Sequence, residues 1–501
     1  MGGPVIATTP DRRALGAWYT PNWLVTMALD LVLGGVPAAR SGSLRVLDPA
    51  CGDGRFLAAV LERRPRATVV GVDIDPAAVA AARGSLGPSA HLLHADALAH
   101  DWHADQFDLV VGNPPFLNQL AAATSRGGRS ALGGGAYADA AALFLALSIR
   151  LVRPGGRVVL VLPRSVLATR DAAPIRDAVA EQASLDALWT ADHPVFDASV
   201  LTVVVSFTKG GRQAPVHRWV GTPPTPVARA PFPHHPDDVG VHSADSRNGA
   251  GHGVRGRSAG TWSALVADLS GAPTDIARHL GGPTLATVAT ATADFRDQYY
   301  GLVGAVGDHD GPRLVTSGAI ELGRCSWGER PVRFAGARYE RPRVQLARLT
   351  PPLAAWAKRR LVPKVLVASQ TRVLEACVDH DGSWLPSVPV LTVVPTAGFD
   401  LDLLGAAICS PVASAWAAAH FAGAGLSSTA LKVSARQLLA LPLPDLPWDA
   451  AVASLAAGDL RRFGETMVAC YDLGDDARRR VLDWWLPLAE RARTQPAADD
   501  P

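Results

Sequence analysis

The segment Val46-Leu47-Asp48-Pro49-Ala50-Cys51-Gly52-Asp53-Gly54-Arg55-Phe56 limits what this chain can fold into more than any other. A short apolar run ends in an acid, passes through a turn with two glycines, and opens a helical stretch. Glycines at 52 and 54 let the backbone pass close to a ligand, with no Cβ in the way. The turn is not the Gly-x-Gly-x-x-Gly fingerprint of a dinucleotide site, because it opens with an acid. An acid there repels a pyrophosphate but can hold an ammonium group, directly or through water. The ligand it predicts carries an amino-acid moiety. Taken alone, Asp48 is also explained as a cap on the following helix.

The surrounding two hundred residues repeat the same alternation. Leu44–Leu47, Thr68–Val72, His91–Leu93, Leu109–Val111, Arg157–Leu162 and Thr202–Phe207 read as strands. Phe56–Arg63, Pro76–Ser85, Ala138–Leu151 and Ala172–Gln182 read as the helices between them. This spacing predicts an α/β domain with a parallel, doubly wound sheet. Its second strand ends in Gly71-Val72-Asp73-Ile74-Asp75, with an acid where such sheets bind ribose hydroxyls. After the third comes Ala95-Asp96-Ala97-Leu98, where Asp96 can accept from an adenine amino group. Ammonium, ribose and adenine at successive strand tips describe S-adenosylmethionine.

The fourth strand leads into Asn113-Pro114-Pro115-Phe116. Two prolines stiffen this turn and remove two N–H donors, so carbonyls point outward. The Asn113 amide oxygen and the Pro114 carbonyl can both accept from one –NH₂ group, and Phe116 offers a planar substrate a flat face. An exocyclic amine is a poor nucleophile because its lone pair is delocalised into the ring. Acceptors on both hydrogens favour a pyramidal nitrogen with its lone pair aimed at a methyl donor. No titrating base is needed, and catalysis becomes orientation and preorganised polarity.

Length and composition set the remaining frame. A chain of 501 residues exceeds one compact core. We expect a catalytic domain over 1–209, a Pro-, Gly- and His-rich linker or insertion over 210–260, a second domain over 261–493, and a disordered tail over 494–501. The five scattered cysteines form no C-x-x-C pair, which argues against a zinc site or disulfide framework and fits a reducing cytosol. Without an apolar leader or a long apolar segment, a cytoplasmic protein with no membrane partner is expected. The formal charge is only +2, yet Arg324–Arg372 holds twelve Arg or Lys against Glu329 and Glu340. That local excess is the expected footprint of a phosphate-binding face.

Together these motifs resemble the gamma-class, TaqI-type adenine-N6 DNA methyltransferases of restriction–modification systems. Gly16-Ala17-Trp18-Tyr19-Thr20-Pro21 looks like that family's first cofactor motif, and its position before the Gly-rich turn is the gamma-class order. The resemblance implies a Rossmann-like, seven-stranded class I methyltransferase domain followed by a mixed α+β target-recognition domain. It implies that S-adenosylmethionine lies against Tyr19, Thr20 and Pro21, then Asp48, Ala50, Cys51, Gly52, Gly54 and Phe56. Asp73, Ile74, Asp96, Ala97, Asn113 and Phe144 complete that wall. Asn113, Pro114, Pro115 and Phe116 would hold a flipped adenine, with Phe196 of His193-Pro194-Val195-Phe196 stacking on it.

The implied partner is double-stranded DNA, alongside a separate restriction or defence protein, and no metal is implied. Two alternatives stand beside adenine methylation. One is a methyltransferase for protein glutamine or the guanine N2 of RNA; the other is a non-catalytic DNA-binding subunit with a vestigial cofactor fold.

Overall fold

A computed structural model describes residues 20–33, 44–103, 106–116, 139–169, 171–196, 200–232, 262–294, 296–421 and 430–494. The chain divides into two compact units, the first ending at Leu265 and the second beginning at Val266.

In the first unit the elements alternate as the sequence predicts. They run α1 (Asn22–Leu33), β1 (Arg45–Asp48), α2 (Arg55–Arg63), β2 (Thr68–Asp73), α3 (Pro76–Leu86), β3 (His91–His94) and β4 (Phe107–Gly112). Then follow α4 (Ala140–Leu151), β5 (Val152–Pro163), α5 (Ala173–Gln182), β6 (Ala183–Thr190), β7 (Thr202–Lys209), β8 (Val216–Val220) and β9 (Thr225–Ala230). The sheet order is β3-β2-β1-β4-β5-β7-β6-β8-β9. Strands β1 to β5 run parallel to one another, and β7 is antiparallel to both β5 and β6. The first seven strands in this order match the seven-stranded sheet that the resemblance implies.

Its central strands are apolar along their middles because both faces are covered. Val46, Leu109, Val111, Val159 and Val161 form one core with Leu24 and Leu29 of α1, Leu57 of α2 and Val79 of α3. Leu47, Val110, Val158 and Leu160 point the other way by strand alternation and are equally buried. Strand order reverses between β1 and β4, so a crevice opens beyond their carboxyl ends. Local signals fix the helix starts there. Asp75 accepts the Ala77 N–H at 2.9 Å with Pro76 at the first helical position, and Asp139 accepts the Ala141 N–H at 3.0 Å.

Three sequence expectations need correction. The sheet has nine strands among the described residues, and β8 and β9 lie within the segment read as a linker or insertion over 210–260. The β8 strand pairs in parallel with β6, so the Pro-rich composition hid an edge hairpin. The boundary at 261 also moves. Trp262 packs on Phe207 and Phe232 with centroids 5.6 Å away in each case, and the buried Arg218 donates to the Leu265 carbonyl at 2.8 Å. Thr494, assigned to the tail, instead ends the helix Asp475–Thr494.

The second unit is mixed α+β. Strands Ala289–Ala293, Leu391–Pro395, Lys364–Val367 and Ala376–Asp379 pair antiparallel in that order. Helices Leu401–Cys409, Pro411–Phe421, Leu460–Ala469 and Asp475–Thr494 share a core with that sheet. A smaller core around Leu314, Phe334, Val344, Trp356 and Leu385 supports a second four-stranded sheet. Among the described residues, no single helix is long and apolar enough to cross a membrane.

Candidate active site

The turn after β1 has the geometry its glycines predict. Gly52 and Gly54 sit at φ 52° and 85°, in the left-handed region. A Cβ on Gly52 would meet nothing within 4 Å, so the backbone there faces open space. On Gly54 it would stand 2.9 Å from Leu86 of α3. The Cys51 N–H donates to the Val72 carbonyl at 2.9 Å, tying the turn to β2.

Asp73 organises this corner. One carboxylate oxygen accepts the Gly52 N–H at 2.8 Å and the other accepts the Asp75 N–H at 2.9 Å. Beside it Ile74 is 60 % exposed, an apolar face at the tip of β2 suited to a nucleoside. Asp96, also exposed, accepts the Leu98 N–H at 2.9 Å, and Ala97 beneath it is buried. Phe56 and Cys51 are buried in the core below, and Ala50 donates its N–H to Asp48 at 3.1 Å.

Asp48 is 1 % exposed. Burial pushes its carboxyl up to about 8, the Ala50 N–H opposes this, and the Asp73 and Asp53 carboxylates add to the rise. Burial and the same carboxylates push the Cys51 thiol up, so that cysteine stays neutral. Gly112, at the end of β4, stands against Asp48, and a Cβ there would lie 2.6 Å from Asp48 Oδ1. The two strand tips therefore touch. This acid, a left-handed glycine turn over open space and an exposed apolar face suit a ligand with amino-acid and nucleoside parts.

Asn113 is the next residue. Its Nδ2 donates to the Thr20 hydroxyl at 3.0 Å, and the Thr20 carbonyl accepts from Arg55 at 3.2 Å. Arg55 also holds Asp53 at 2.8 Å. No local motif singles out Arg55, yet it links the Gly-rich turn to the segment that carries Thr20. The Pro21 carbonyl starts α1 by accepting the Leu24 and Val25 N–H groups. Tyr19 lies outside the described residues.

Pro114 is buried, while Pro115 and Phe116 are half-buried. The structure brings together Phe116 and Phe196, which are eighty residues apart in sequence. Their ring centroids are 5.8 Å apart with planes at 78°, an edge-to-face pair. Phe144, just past the first turn of α4, is buried, and its carbonyl accepts from Ser148 at 2.7 Å. Among the described residues no group of three or more His, Cys, Asp or Glu is placed to hold a metal ion.

The basic stretch of the second unit is less charged than its sequence implies. Arg324 pairs with Glu321 and Glu329, Arg330 with Glu321, Arg360 with Asp294 and Lys364 with Asp379. Four of the twelve cations are thus matched by acids, three of which (Glu321, Asp294 and Asp379) lie outside the 324–372 window.

Residues 7–219 match the family model for N-6 DNA methylase. This part of the chain is similar to the N-6 DNA methylases. The chain is 31% identical over 231 residues to the type II methyltransferase M.TthHB8I of Thermus thermophilus, covering 42% of this chain and 48% of that one. It is 36% identical over 149 residues to the release factor glutamine methyltransferase of Caulobacter vibrioides, covering 27% and 50%. The chain thus spans about half the length of these curated relatives. Among solved structures, the methyltransferase subunit of a type I restriction-modification system from Streptococcus thermophilus overlays with a TM-score of 0.33 at 21% identity. That match covers 40% of this chain and 47% of the other.

Proposed function

We propose that this protein is a site-specific methyltransferase that methylates the N6 amine of adenine in double-stranded DNA, with S-adenosylmethionine as donor. The observation that carries the reading is Asn113, held by Thr20 at the tip of β4, directly after the glycine that packs on Asp48. The cofactor supplies an electrophilic methyl group on a sulfonium. Asp48 would hold its ammonium end, directly or through water, Asp73 its ribose, and Ile74 and Asp96 its adenine. Gly52 and Gly54 keep the turn free of side chains along that path.

Asn113 Oδ1 and the Pro114 carbonyl would accept the two hydrogens of the substrate amine, turning its lone pair outward. Phe116 and Phe196 would flank the flipped base. The second unit would hold the opened duplex, since a base inside the stack is out of reach. In this reading the enzyme acts beside a separate restriction or defence partner. The match of 7–219 to the N-6 DNA methylase family model, and the type II relative, support DNA as the substrate.

A second reading is methyl transfer to a protein glutamine or to RNA, favoured by the similarity to a release factor glutamine methyltransferase. Incubating the purified protein with labelled S-adenosylmethionine and unmethylated duplex, then digesting to nucleosides, separates the two. N6-methyldeoxyadenosine is expected. Label transferred only to added protein or RNA would overturn the DNA reading.

A further inference from the structure

We infer that Arg55 is a positioning residue: acting through Thr20, it ties the glycine turn that faces the cofactor to the side-chain amide of Asn113. Cofactor binding then fixes the amide that receives the substrate amine. The inference rests on the methyltransferase reading above and says how its two sites communicate.

The first ground is an unbroken run of contacts. Arg55 is the first residue of α2, directly after Gly54. Its Nε donates to Asp53 at 2.8 Å, and its Nη1 donates to the Thr20 carbonyl at 3.2 Å. The Thr20 hydroxyl in turn accepts from Asn113 Nδ2 at 3.0 Å. Thr20 is 6 % exposed, and a buried carbonyl calls for a donor from the protein. Thr20 is thus held from two sides, its main chain by the residue after the turn and its side chain by the tip of β4.

The second ground is that the turn end of this path is rigid. Asp73 accepts the Gly52 N–H at 2.8 Å, and the Ser85 hydroxyl donates to the Asp53 carbonyl at 3.0 Å. The Gly54 N–H donates to the Cys51 carbonyl at 2.8 Å. The Asp53 carboxylate sets the plane of the guanidinium, which aims Nη1 at Thr20. A ligand lying over the open backbone at Gly52 therefore rests on the same unit as Arg55.

The third ground is the kind of restraint each contact supplies. Gly112 packs on Asp48, and that contact sets the backbone of β4. The hydrogen bond to Thr20 adds a restraint on the side-chain torsions of Asn113, which the backbone contact does not reach. Arginine suits the position because its planar fork donates in two fixed directions, unlike the compact ammonium of lysine. The Arg55 side chain is 41 % exposed, so its ion pair with Asp53 adds little to stability, and its contribution is geometric.

The test reads the Asn113 amide directly. The chain has four asparagines, at 22, 113, 118 and 248, so full-length protein labelled with ¹⁵N-asparagine shows few side-chain amides. An Asn113→Ala variant assigns the pair that belongs to Asn113. Saturation with S-adenosylhomocysteine is expected to shift that pair and to slow its exchange with water. In Arg55→Met, brought to equal saturation as judged by calorimetry, the response should be absent, and Arg55→Lys should recover part of it. On methylation-free genomic DNA, Arg55→Met should lower kcat about tenfold, while the KM for S-adenosylmethionine changes less than about threefold. The unfolding midpoint should stay at the wild-type value. If Arg55→Met does not fold, Thr20→Val breaks the path at its middle and should lose the response instead.

A full response in Arg55→Met would overturn the coupling and leave the methyltransferase reading standing. So would wild-type protein that binds S-adenosylhomocysteine with no change at Asn113. A lower unfolding midpoint with unchanged kcat would make Arg55 a structural residue only. Wild-type protein that binds neither S-adenosylmethionine nor S-adenosylhomocysteine would overturn both the coupling and the reading it rests on.

Discussion

The side-chain amide of Asn113 donates to the hydroxyl of Thr20 at 3.0 Å, a contact between residues 93 positions apart. In this arrangement the amide nitrogen faces Thr20 and the oxygen lies on the other side. Thr20→Val removes the acceptor at nearly constant volume and lets the amide rotate. One neutral hydrogen bond is worth about 1 kcal/mol, so kcat should fall roughly fivefold. Steady-state kinetics with cofactor titration checks this, and an unchanged kcat would separate Thr20 from the orientation of Asn113.

Phe196 meets Phe116 edge to face and is itself buried. Phe196→Leu keeps an apolar side chain of similar size but removes the flat ring. An aromatic pair adds about 0.5–1.5 kcal/mol beyond its area, so kcat/KM for DNA should drop roughly tenfold. The unfolding midpoint should move little. In duplexes carrying 2-aminopurine at the target, the flipped-base signal should weaken in the variant. A collapse of stability with normal residual turnover would make Phe196 a core residue only.

The pH dependence of cofactor binding follows from Asp48. Its carboxyl is pushed up to about 8 in the folded protein, from 3.8 in an exposed chain. Burial is the main cause, with Asp73 and Asp53 adding to it. A raised pKa means the folded state prefers the protonated form. The stability this allows is complete below about pH 4 and is lost as pH rises through about 8. A cationic ligand end prefers the ionised form, so S-adenosylmethionine affinity should increase from pH 6 to 8. Calorimetry in buffers of different ionisation enthalpy should show proton release on binding. Asp48→Asn should abolish both effects.

In the second unit, Lys364 and Asp379 form a buried ion pair, 0 and 1 % exposed. Asp379 also accepts the Ser383 and Trp384 N–H groups, at 3.1 and 3.0 Å. Lys364→Ala strands that carboxylate without its cation, at a cost of about 3–5 kcal/mol. Urea unfolding should show a lower midpoint. A midpoint within error of wild type would mean that water or a neighbour reaches Asp379.

How much of this was legible in the sequence follows from the range of each signal. The turn over 48–54 and the Asn-Pro-Pro-Phe tip depend on glycine, proline and acids a few residues apart, and both sit at strand ends as expected. The pairing of Phe116 with Phe196 required the family resemblance, since nothing near either residue specifies the other. The strands β8 and β9 were missed because an edge hairpin at Pro-rich 215–226 shows little alternation. What makes it a sheet edge is its pairing with β6, a tertiary fact. Nor does a basic window show that Arg360 is held by Asp294, sixty-six residues upstream. Charge counts locate cations but not their partners.

The most direct test of the central claim is long-read sequencing of DNA from a methylation-free host expressing this protein, beside an Asn113→Ala control. N6-methyladenine confined to one sequence motif, and absent from the control, is the predicted result. Unmodified adenine from well-expressed, cofactor-binding protein, or equal methylation by the control, would contradict it.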